Sequence, residues 1–284
     1  MKKFFSILIN NKLKVFIFIV VLIFIALLFK FYLYNSKKEY ILNYAKDNSR
    51  FIAHAGGQIE RLNYTNSLEA LENSYKNGFR MFELDIIKTS DGVFVAAHDW
   101  GKWKKITKYE GELPPSRKNF LNQKIHNKFT PMDIAMINDW FLIHLDAVLV
   151  TDKINEAKAF SAVFIDKQRL MMELFSWDSV LEGTQEGIKS AMPTGNLLDG
   201  IKGDKIKFLR EIGVTDIAMS RKKLTTDMKL IQQINSSGIK IFAFHINDKK
   251  GRGVNHVVCK ERKYFYGMYA NKWSQNYLPN CEAF

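Results

Sequence analysis

Residues 79–99 read FRMFELDIIKTSDGVFVAAHD, and they contain two strand patterns joined by a turn signal. Phe79–Ile87 and Val93–Ala97 are short runs rich in apolar and β-branched residues, which are typical of β-strands. Asp91 and Gly92 lie between the two runs, and this dipeptide is characteristic of a tight turn or hairpin. The segment therefore predicts two consecutive β-strands.

Side chains that can bind metals or transfer protons lie on these strands and at their ends. Glu83 and Asp85 are two residues apart, so they fall on the same face of the first strand. Two carboxylates on one face are costly to bury unless a cation joins them, and Mg²⁺ or Ca²⁺ takes oxygen ligands of this kind. His98 follows the second strand and His54 follows an upstream strand at Phe51–Ala53, where imidazoles can act as acid and base. Singly, each residue also fits a solvated or ordinarily hydrogen-bonded side chain, so only the combination predicts a site.

Strand patterns alternate with helix patterns along the rest of the chain. Further strands are predicted at Ala147–Thr151, Arg169–Phe175, Val214–Ser220, Ile239–Ile246 and Tyr264–Tyr269. Repeated β–α units over about 230 residues are typical of a parallel sheet covered by helices, and a TIM-type (β/α)8 barrel of the α/β class is the closed form at this length. A doubly wound open sheet is the alternative. Neither GxGxxG after a strand nor GxxxxGK[ST] occurs, so a nucleotide-binding version of that sheet has no support.

Local signals place some of the helices and loops. Asn66, with Glu69 three residues later, forms a capping-box pattern, and Gly78 is suited to end the helix that begins there. Thr130-Pro131 predicts another helix start, because proline is favoured in a first turn. Residues 101–128 are mostly polar and predict a long loop or a small insertion.

Composition and charge limit the class of protein. The chain has 284 residues, 47% of them hydrophobic and 25% charged, which excludes a disordered, collagen-like or small disulfide-stapled protein. Residues 1–38 contain seven lysines and no acidic residue, which leaves +6 of the net charge of +13 for the rest. No nucleic-acid-binding module accompanies that charge, so we expect no nucleic-acid partner. Cys259 and Cys281 pair in an oxidising compartment and stay thiols in the cytoplasm, and the sequence leaves both open.

The N-terminal segment predicts a membrane anchor. Residues 15–29, VFIFIVVLIFIALLF, are uncharged, and apolar sequence resumes after Lys30, whose side chain can extend to the headgroups; the usable span is roughly 20 residues. Because bulky residues follow instead of a small-x-small cleavage site, an uncleaved anchor over 1–38 is favoured over a signal peptide. Residues 39–50 then form a connector or a short helix, and 51–284 the barrel. The lysines favour a cytoplasmic N-terminus, a single-pass location in the cell membrane and a barrel on its outer face.

Four motifs in order are similar to those of the glycerophosphodiester phosphodiesterase family, part of the phospholipase-C-like phosphodiesterase superfamily. They are HAGG at 54–57, YTNSLEAL at 64–71, FELDIIKTSDG at 82–92 and AAHDW at 96–100. The family pattern is HRG, PENT, ExD with a following TxDG, HD and a late ExK. The chain resembles a divergent HAGG/YTNS branch of this family.

The chain departs from the pattern at several positions, of which those in the HRG, PENT and ExK motifs bear on the chemistry. Ala55 replaces the arginine of HRG, and Thr65 replaces the glutamate of PENT. At the late motif, Asp152 stands for the glutamate and Lys153 is adjacent to it. Loss of the arginine removes a bidentate phosphate clamp that lysine does not reproduce, so a different substrate or weaker binding is expected.

The resemblance implies a metal-dependent hydrolase that cuts glycerophosphodiesters to glycerol 3-phosphate and an alcohol. In the family, a neighbouring substrate hydroxyl attacks phosphorus and water opens the resulting cyclic phosphate. The implied roles by position are divalent cation (Mg²⁺ or Ca²⁺) ligands Glu83, Asp85 and Asp152, an acid–base pair of His54 and His98, Lys153 as a charge that balances the phosphate, and Asn66 as a residue that positions the phosphate or a metal ligand. Glu173, inside the apolar run LMMELF, is a further substrate-binding candidate because it can line the mouth of the barrel. Asn66 equally fits a helix cap, and Glu173 equally fits a paired core residue.

Two other functions stay open at this stage. The anchor motivates a phospholipase-like enzyme of the same barrel that cuts lipids, because it places the barrel at a bilayer. The missing arginine motivates a non-catalytic barrel that binds a phosphorylated polymer or a partner protein. Metal-dependent turnover distinguishes the enzyme from the binding module.

Overall fold

The computed structural model describes residues 2–246 and 253–281, with side chains from residue 16 onward. Its strands are β1 Phe51–Ala53, β2 Met81–Lys88, β3 Phe94–Ala96, β4 Val148–Asp152, β5 Leu170–Leu174, β6 Ser190–Pro193, β7 Asp216–Ser220, β8 Lys240–Phe244 and β9 Gly267–Ala270. Its α-helices are α1 Lys2–Lys46, α2 Leu68–Lys76, α3 Trp100–Thr107, α4 Arg117–Leu121, α5 Ile134–Ile143, α6 Ala157–Ser161, α7 Trp177–Gln185, α8 Lys205–Glu211, α9 Met228–Ser236 and α10 Val254–His256. Short 3-10 turns lie at Asn48–Arg50, His54–Gly56, Lys167–Arg169, Leu197–Gly200 and Arg221–Thr225, and a π-turn lies at Val257–Glu261.

Eight parallel strands form a nearly closed barrel in the order β6-β5-β4-β2-β1-β9-β8-β7. The two end strands meet at one parallel bridge between Thr194 and Ala218, where the Gly195 N–H donates to the Ala218 carbonyl at 2.8 Å. The predicted TIM-type barrel is therefore confirmed over the open doubly wound sheet. β3 lies outside the ring and pairs antiparallel with β2, as the Asp91-Gly92 turn predicts.

Apolar side chains fill the inside of the barrel below its carboxyl end. They come from all eight barrel strands and are Ile52, Met81, Val150, Met171, Met192, Ala218, Phe242 and Tyr269. On β2 the alternation carries the chain from Met81 in this layer to Glu83 and Asp85 above it. The apolar layer supports these carboxylates from below and keeps water from the barrel interior.

The N-terminal unit, which extends to Tyr44, consists of helix α1. Within α1, the segment Phe16–Lys46 is long and apolar enough to cross a membrane. Of the two interpretations of residues 39–50, a connector or a short helix, most of the segment is helix: α1 continues to Lys46, and the 3-10 turn Asn48–Arg50 follows. The second unit begins at Ala45 and contains the barrel.

The region 101–128 is a small folded insertion instead of a loop. Helices α3 and α4 lie in it, and Trp103 stacks on Phe120 with ring centroids 5.3 Å apart. Both rings are buried together with Val95 and Ala97, so the insertion packs on β3. Its apolar residues are too widely spaced for the sequence pattern to show the two short helices.

Two predicted helix starts are displaced. Ser67, and not Asn66, caps α2, because its hydroxyl accepts a hydrogen bond from the Ala70 N–H. Asp133 caps α5 by accepting from the Met136 N–H, three residues after the expected start at Thr130. Gly78, with φ of 101°, follows the end of α2 as predicted.

Cys259 and Cys281 form a disulfide across a sequence separation of 22 residues. It joins the π-turn after α10 to the C-terminal segment. The sequence left this pairing open, since cysteine count alone does not bring two side chains together.

Candidate active site

Three carboxylates converge at the carboxyl ends of β2 and β4. The parallel register of these neighbouring strands places Asp85 directly opposite Asp152, and Glu83 lies two residues earlier on the same face. One carboxylate oxygen from each residue lies within 4.8 Å of the others. Glu83 and Asp85 are buried and Asp152 is half-buried. The strand alternation that brought Glu83 and Asp85 onto one face thus builds an acidic cluster with a residue about 70 positions away.

Glu83 has one oxygen satisfied and one oxygen without a partner. Its Oε2 accepts a hydrogen bond from the Ala55 N–H at 2.6 Å, whereas its buried Oε1 has no hydrogen-bond partner among the described residues. Burial, together with the carboxylates of Asp85 and Asp152, raises the pKa of Glu83, and the Ala55 N–H opposes this. A buried oxygen is costly to leave unpaired. The orphan oxygen and the three hard oxygen donors fit a divalent cation such as Mg²⁺ or Ca²⁺.

Asn66 holds the second carboxylate in place. It is buried, its Nδ2 donates to Oδ2 of Asp85 at 2.9 Å, and its Oδ1 accepts from the Asp85 N–H at 3.0 Å. Its φ of 49° lies in the left-handed region, which asparagine tolerates better than most residues. Its backbone N–H donates to the Ala55 carbonyl at 3.1 Å, which connects the loop after β1 to the cluster.

Lys153 places its ammonium group among the carboxylates. Its Nζ donates to Oδ2 of Asp152 and lies 3.5 Å from Oδ1 of Asp85. Burial opposes the charge, but the neighbouring Asp152 and Asp85 carboxylates outweigh it and raise the pKa of Lys153. This cation offsets part of the repulsion in the cluster.

His54 follows β1 and is the first residue of the 3-10 turn His54–Gly56. The Asn271 side-chain oxygen lies 3.1 Å from its Nδ1. Burial lowers the pKa of His54, and the Asp85 carboxylate partly opposes that shift. Next to it, Ala55 is fully buried with φ of 49°, so the position of the family arginine holds a methyl group enclosed by protein.

His98 follows β3 and is oriented by its neighbour. Its Nδ1 lies 2.7 Å from Oδ2 of Asp99, and Oδ1 of Asp99 accepts from the Lys102 N–H at 2.7 Å as the N-cap of α3. The ammonium of Lys102 lies 3.0 Å from Nε2 of His98. The start of the insertion therefore fixes one imidazole and supplies a cation beside it.

Tyr64 stands between the two histidines, and the sequence interpretation missed it. Its ring makes edge contacts with His54, at a centroid distance of 4.7 Å, and with His98, at 6.1 Å. It is 43% exposed, and its φ of 61° is unusual for an aromatic residue. Asn271 was missed as well, because only the barrel closure brings it to His54. The position of Tyr64 beside Thr65 and Asn66 in the second motif was the available signal.

Glu173 lies inside the barrel, level with Asp152. Met172 pairs with Thr151, so the next residues along β5 and β4 are Glu173 and Asp152. Glu173 is buried, and its Oε2 accepts a hydrogen bond from the Tyr269 hydroxyl at 3.2 Å. Burial and the Asp152 carboxylate raise the pKa of Glu173 to about 8.

A cavity of about 120 Å³ lies between His98 and the insertion. Tyr64 and Asn66 line one side of it, and Lys102 and Lys105 of α3 line another. Two ammonium groups and several polar groups thus border the site on the side of His98. This arrangement can hold an anion beside the acidic cluster and the two histidines.

Residues 54–113 match the model of the Glycerophosphoryl diester phosphodiesterase family. The match begins at His54 and includes Asn66, Glu83, Asp85 and His98. It confirms the predicted resemblance to that family over these residues. No curated protein matches the sequence.

Solved structures confirm the fold over most of the chain. A glycerophosphodiester phosphodiesterase from Parabacteroides distasonis is 16% identical with a TM-score of 0.59, covering 78% of this chain and 92% of that chain. A glycerophosphodiester phosphodiesterase from Thermotoga maritima is 16% identical with a TM-score of 0.57, covering 78% and 93%. An Oleispira antarctica phosphodiesterase in complex with the product sn-glycerol-3-phosphate is 15% identical with a TM-score of 0.59, covering 82% and 95%.

Proposed function

We propose, from the family match and the geometry of the site, that this chain is a membrane-anchored, metal-dependent phosphodiesterase. It hydrolyses glycerophosphodiesters to glycerol 3-phosphate and an alcohol. The observation that carries this proposal is the buried cluster of Glu83, Asp85 and Asp152 with His54 and His98 beside it. The product found in the Oleispira antarctica enzyme supports the same class of substrate.

Glu83, Asp85 and Asp152 would hold the divalent cation. Oε1 of Glu83, which has no hydrogen-bond partner among the described residues, would be available to hold it, and a bound cation would supply charge neutralisation for the phosphate. Asn66 positions Asp85, so we assign it to support of the metal site more than to direct contact with substrate. Such outer contacts commonly set the orientation of ligands.

His54 and His98 carry the proton transfers. The oxygen of Asn271 is placed to accept from Nδ1–H of His54, which leaves Nε2 able to take the proton of the attacking substrate hydroxyl. Asp99 is placed to accept from Nδ1–H of His98, so that Nε2 can deliver a proton to the leaving oxygen. The same two groups act in reverse when water opens the cyclic phosphate.

Two lysines supply positive charge at a site where Ala55 stands in place of the family's arginine. Lys153 lies at the carboxylates, and Lys102 lies at His98 on the other side of the site. Both can attract a phosphate as point charges, without the bidentate geometry of a guanidinium group. Glu173 is held by Tyr269 at the level of Asp152, where it borders the substrate space from inside the barrel.

Helix α1 is proposed to anchor the protein in the cell membrane as a single-pass span, with the barrel on the outer face. Phe16–Lys46 has the length and composition for this. The disulfide between Cys259 and Cys281 supports the outward placement, since disulfides persist in oxidising compartments.

The proposal is tested with the full chain in nanodiscs and a panel of glycerophosphodiesters, measuring released glycerol 3-phosphate. We expect release that chelator abolishes and Mg²⁺ or Ca²⁺ restores. Glu83→Gln and His54→Ala should each lower kcat by at least roughly 10²-fold. Glu211→Gln, an exposed carboxylate on α8, is the matched control and should leave the rate unchanged.

Either of two results would overturn this function. One is release that persists in chelator, and the other is full activity of Glu83→Gln. Absence of release from every soluble diester, with release from phospholipid vesicles, would instead assign the barrel to lipid substrates.

A further inference from the structure

Hydrogen-bond donors line the cavity between His98 and the insertion. Lys102, Lys105 and His126 come from the insertion, and Tyr64 comes from the loop between β1 and α2. Among the described residues at the wall of this cavity, none is an aspartate or a glutamate. Positive charge in a cleft without acidic residues attracts anions and repels cations. The chemistry of the wall therefore favours a negatively charged ligand.

The charge of Lys105 is available to such a ligand. Its ammonium group has no ion pair among the described residues, whereas Lys102 lies 3.8 Å from the Asp99 carboxylate. Oδ2 of that carboxylate also lies 2.7 Å from Nδ1 of His98, so Asp99 is engaged by its neighbours. Lys105 lies one turn after Lys102 on α3, on the same face of the helix. The two lysines thus present one unpaired and one partly compensated positive charge.

Asn66 lies between the cavity and the acidic cluster. It is part of the cavity wall, and its Nδ2 donates to Oδ2 of Asp85 at 2.9 Å. The ammonium of Lys153 lies 3.5 Å from Oδ1 of the same carboxylate and compensates part of its charge. A ligand in the cavity therefore meets the amide of Asn66, and the nearest carboxylate of the cluster lies behind that amide.

Trp103 supplies a buried donor that lacks an acceptor. Its indole lines the cavity and is 2% exposed, and its Nε1 has no hydrogen-bond partner among the described residues. The ring is fixed by stacking on Phe120, at a centroid distance of 5.3 Å, and by contact with Tyr109, at 5.1 Å. A buried N–H group is costly to leave unpaired. This donor is a second, independent indication of a ligand with acceptor atoms.

Three residues of the wall have a left-handed backbone. The φ angle is 61° at Tyr64, 49° at Asn66 and 53° at His126. This conformation is unfavourable for residues with a Cβ atom, and it persists where the surrounding fold imposes it, often where a ligand is clamped. The loop after β1 and the end of the insertion are thus both shaped around the same cavity.

The position of the cavity relates it to one part of the substrate. In the proposed function, His98 gives a proton to the leaving oxygen, and His98 is itself part of the cavity wall. The scissile phosphate lies at the acidic cluster in that scheme. The alcohol attached to the leaving oxygen therefore extends past His98 toward Lys105 and Trp103.

We propose that this cavity binds the alcohol part of the substrate and selects alcohols that carry an anionic group of their own, a phosphate or a carboxylate. Lys105 pairs with that group, and the indole N–H of Trp103 donates to one of its oxygens. The inference rests on the proposed function, because it takes the leaving oxygen to lie at His98. A cationic alcohol such as choline is a poor substrate for the same reason, since the lysines repel it.

The test compares glycerophosphodiesters that share the glycerol phosphate half and differ at the far end of the alcohol. The alcohols are hydroxyethyl phosphate and hydroxypropanoate, which are anionic, propanediol, which is neutral, and choline, which is cationic. With the full chain in nanodiscs of zwitterionic lipid, released glycerol 3-phosphate gives kcat and KM for each. We expect kcat/KM to be roughly tenfold higher for the better anionic diester than for the neutral one, mainly through KM. The choline diester should have the lowest value.

Variants of the wall identify the residues that carry this preference. Lys105→Gln should remove most of it, and Lys105→Glu should reverse it in favour of choline. Lys104→Gln is the matched control on the same helix, because that ammonium group lies outside the cavity and donates to the Gly111 carbonyl at 3.4 Å. It should leave every rate unchanged. Trp103→Phe should raise KM for the anionic diesters more than for the neutral one, with thermal unfolding as the check on folding.

Equal kcat/KM for the anionic and neutral diesters would overturn the inference, as would an equal loss on both in Lys105→Gln. Failure of the proposed function looks different, because no diester then releases glycerol 3-phosphate. In that case hydroxyethyl phosphate, titrated into the full chain, tests the cavity directly. A shift of the indole N–H resonance of Trp103, assigned with Trp103→Phe and weakened in Lys105→Gln, supports the anion subsite, and absence of a shift overturns it.

Discussion

Asn66 and Asp85 form two reciprocal hydrogen bonds, one through the carboxylate and one through the backbone of Asp85. A single amide side chain therefore fixes both the position and the rotation of a metal-ligand candidate. It connects the loop after β1 to β2, so that the loop carrying His54 and the strand carrying the carboxylates keep a constant distance.

Removing this contact should weaken metal binding strongly and should lower the stability of the fold only moderately. We expect Asn66→Ala to lower the apparent affinity for the divalent cation by about 10–100-fold. The unpaired Asp85 groups should also reduce the free energy of unfolding by about 1–3 kcal/mol. A metal titration measured by calorimetry gives the first effect. Asn235→Ala on α9, which removes a side-chain hydrogen bond to the Tyr264 carbonyl far from the cluster in sequence, is the control. Unchanged metal affinity in Asn66→Ala would contradict the positioning role.

The ring of Tyr64 should contribute to turnover by keeping both imidazoles in place. Its two edge contacts amount to about 1–3 kcal/mol if each aromatic pair contributes 0.5–1.5 kcal/mol. Tyr64→Ala should therefore lower kcat by roughly tenfold or more, whereas Tyr64→Phe, which keeps the ring, should retain most of the activity. Steady-state kinetics of both variants, with thermal unfolding as a check on folding, decide this. A kcat for Tyr64→Phe as low as that for Tyr64→Ala would assign the effect to the hydroxyl instead of the ring.

The raised pKa of Glu173 predicts how the free energy of unfolding depends on pH. Its pKa is raised from the ordinary value of 4.5 to about 8, so the folded protein binds this proton more tightly than the unfolded chain. The cost of ionising the buried carboxyl is absent below pH 4.5 and increases as the pH rises toward 8. Glu173→Gln should match the parent protein at pH 5 and be more stable than it at pH 9, when both are measured in chelator.

Thermal unfolding midpoints at the two pH values provide the measurement. Each kcal/mol added to the free energy of unfolding raises the unfolding midpoint by about 2–4 °C for a domain of this size. Glu211→Gln on the surface should show no difference between pH 5 and pH 9. A constant offset for Glu173→Gln at both pH values would show that the carboxyl is not titrating in this range.

The disulfide between Cys259 and Cys281 should stabilise the C-terminal part of the barrel unit. Closing a loop of this length contributes about 3 kcal/mol in the chain-entropy account. The double variant Cys259→Ser/Cys281→Ser should unfold at a lower temperature than the oxidised parent. Adding reductant should lower the midpoint of the parent and leave that of the double variant unchanged. Insensitivity of the parent to reductant would show that the bond is absent in solution.

Sequence patterns predicted the fold where side-chain alternation and turn chemistry agree. The runs around Glu83 and Val95 became β2 and β3, joined at the Asp91-Gly92 turn, because both signals depend on a few adjacent residues. β6, Ser190–Pro193, was missed. Its sequence SAMP contains no β-branched or aromatic residue, so only the neighbouring strands make it a strand.

The residues of the candidate site also fall into two groups, those that local sequence patterns predict and those that only the folded chain brings together. Glu83, Asp85, His54 and His98 were found because each lies at a strand or strand end and in a motif. Asn271 and Tyr64 were not found, since their proximity to the histidines depends on barrel closure and on a loop backbone with positive φ. Asn66 was found for two competing roles, and Ser67 takes the cap because it has the extended backbone that an N-cap requires.

The single bridge between Thr194 and Ala218 has a consequence for how the molecule moves. Every other pair of neighbouring barrel strands shares a ladder of at least two registered residue pairs, while β6 and β7 share one bridge, between Thr194 just after β6 and Ala218 of β7. Hydrogen exchange should therefore be fastest along this seam, as the least cooperative part of the ring. β2 and β4, which carry the carboxylates, are separated from the seam by other strands, so a local opening between β6 and β7 leaves the acidic cluster in place.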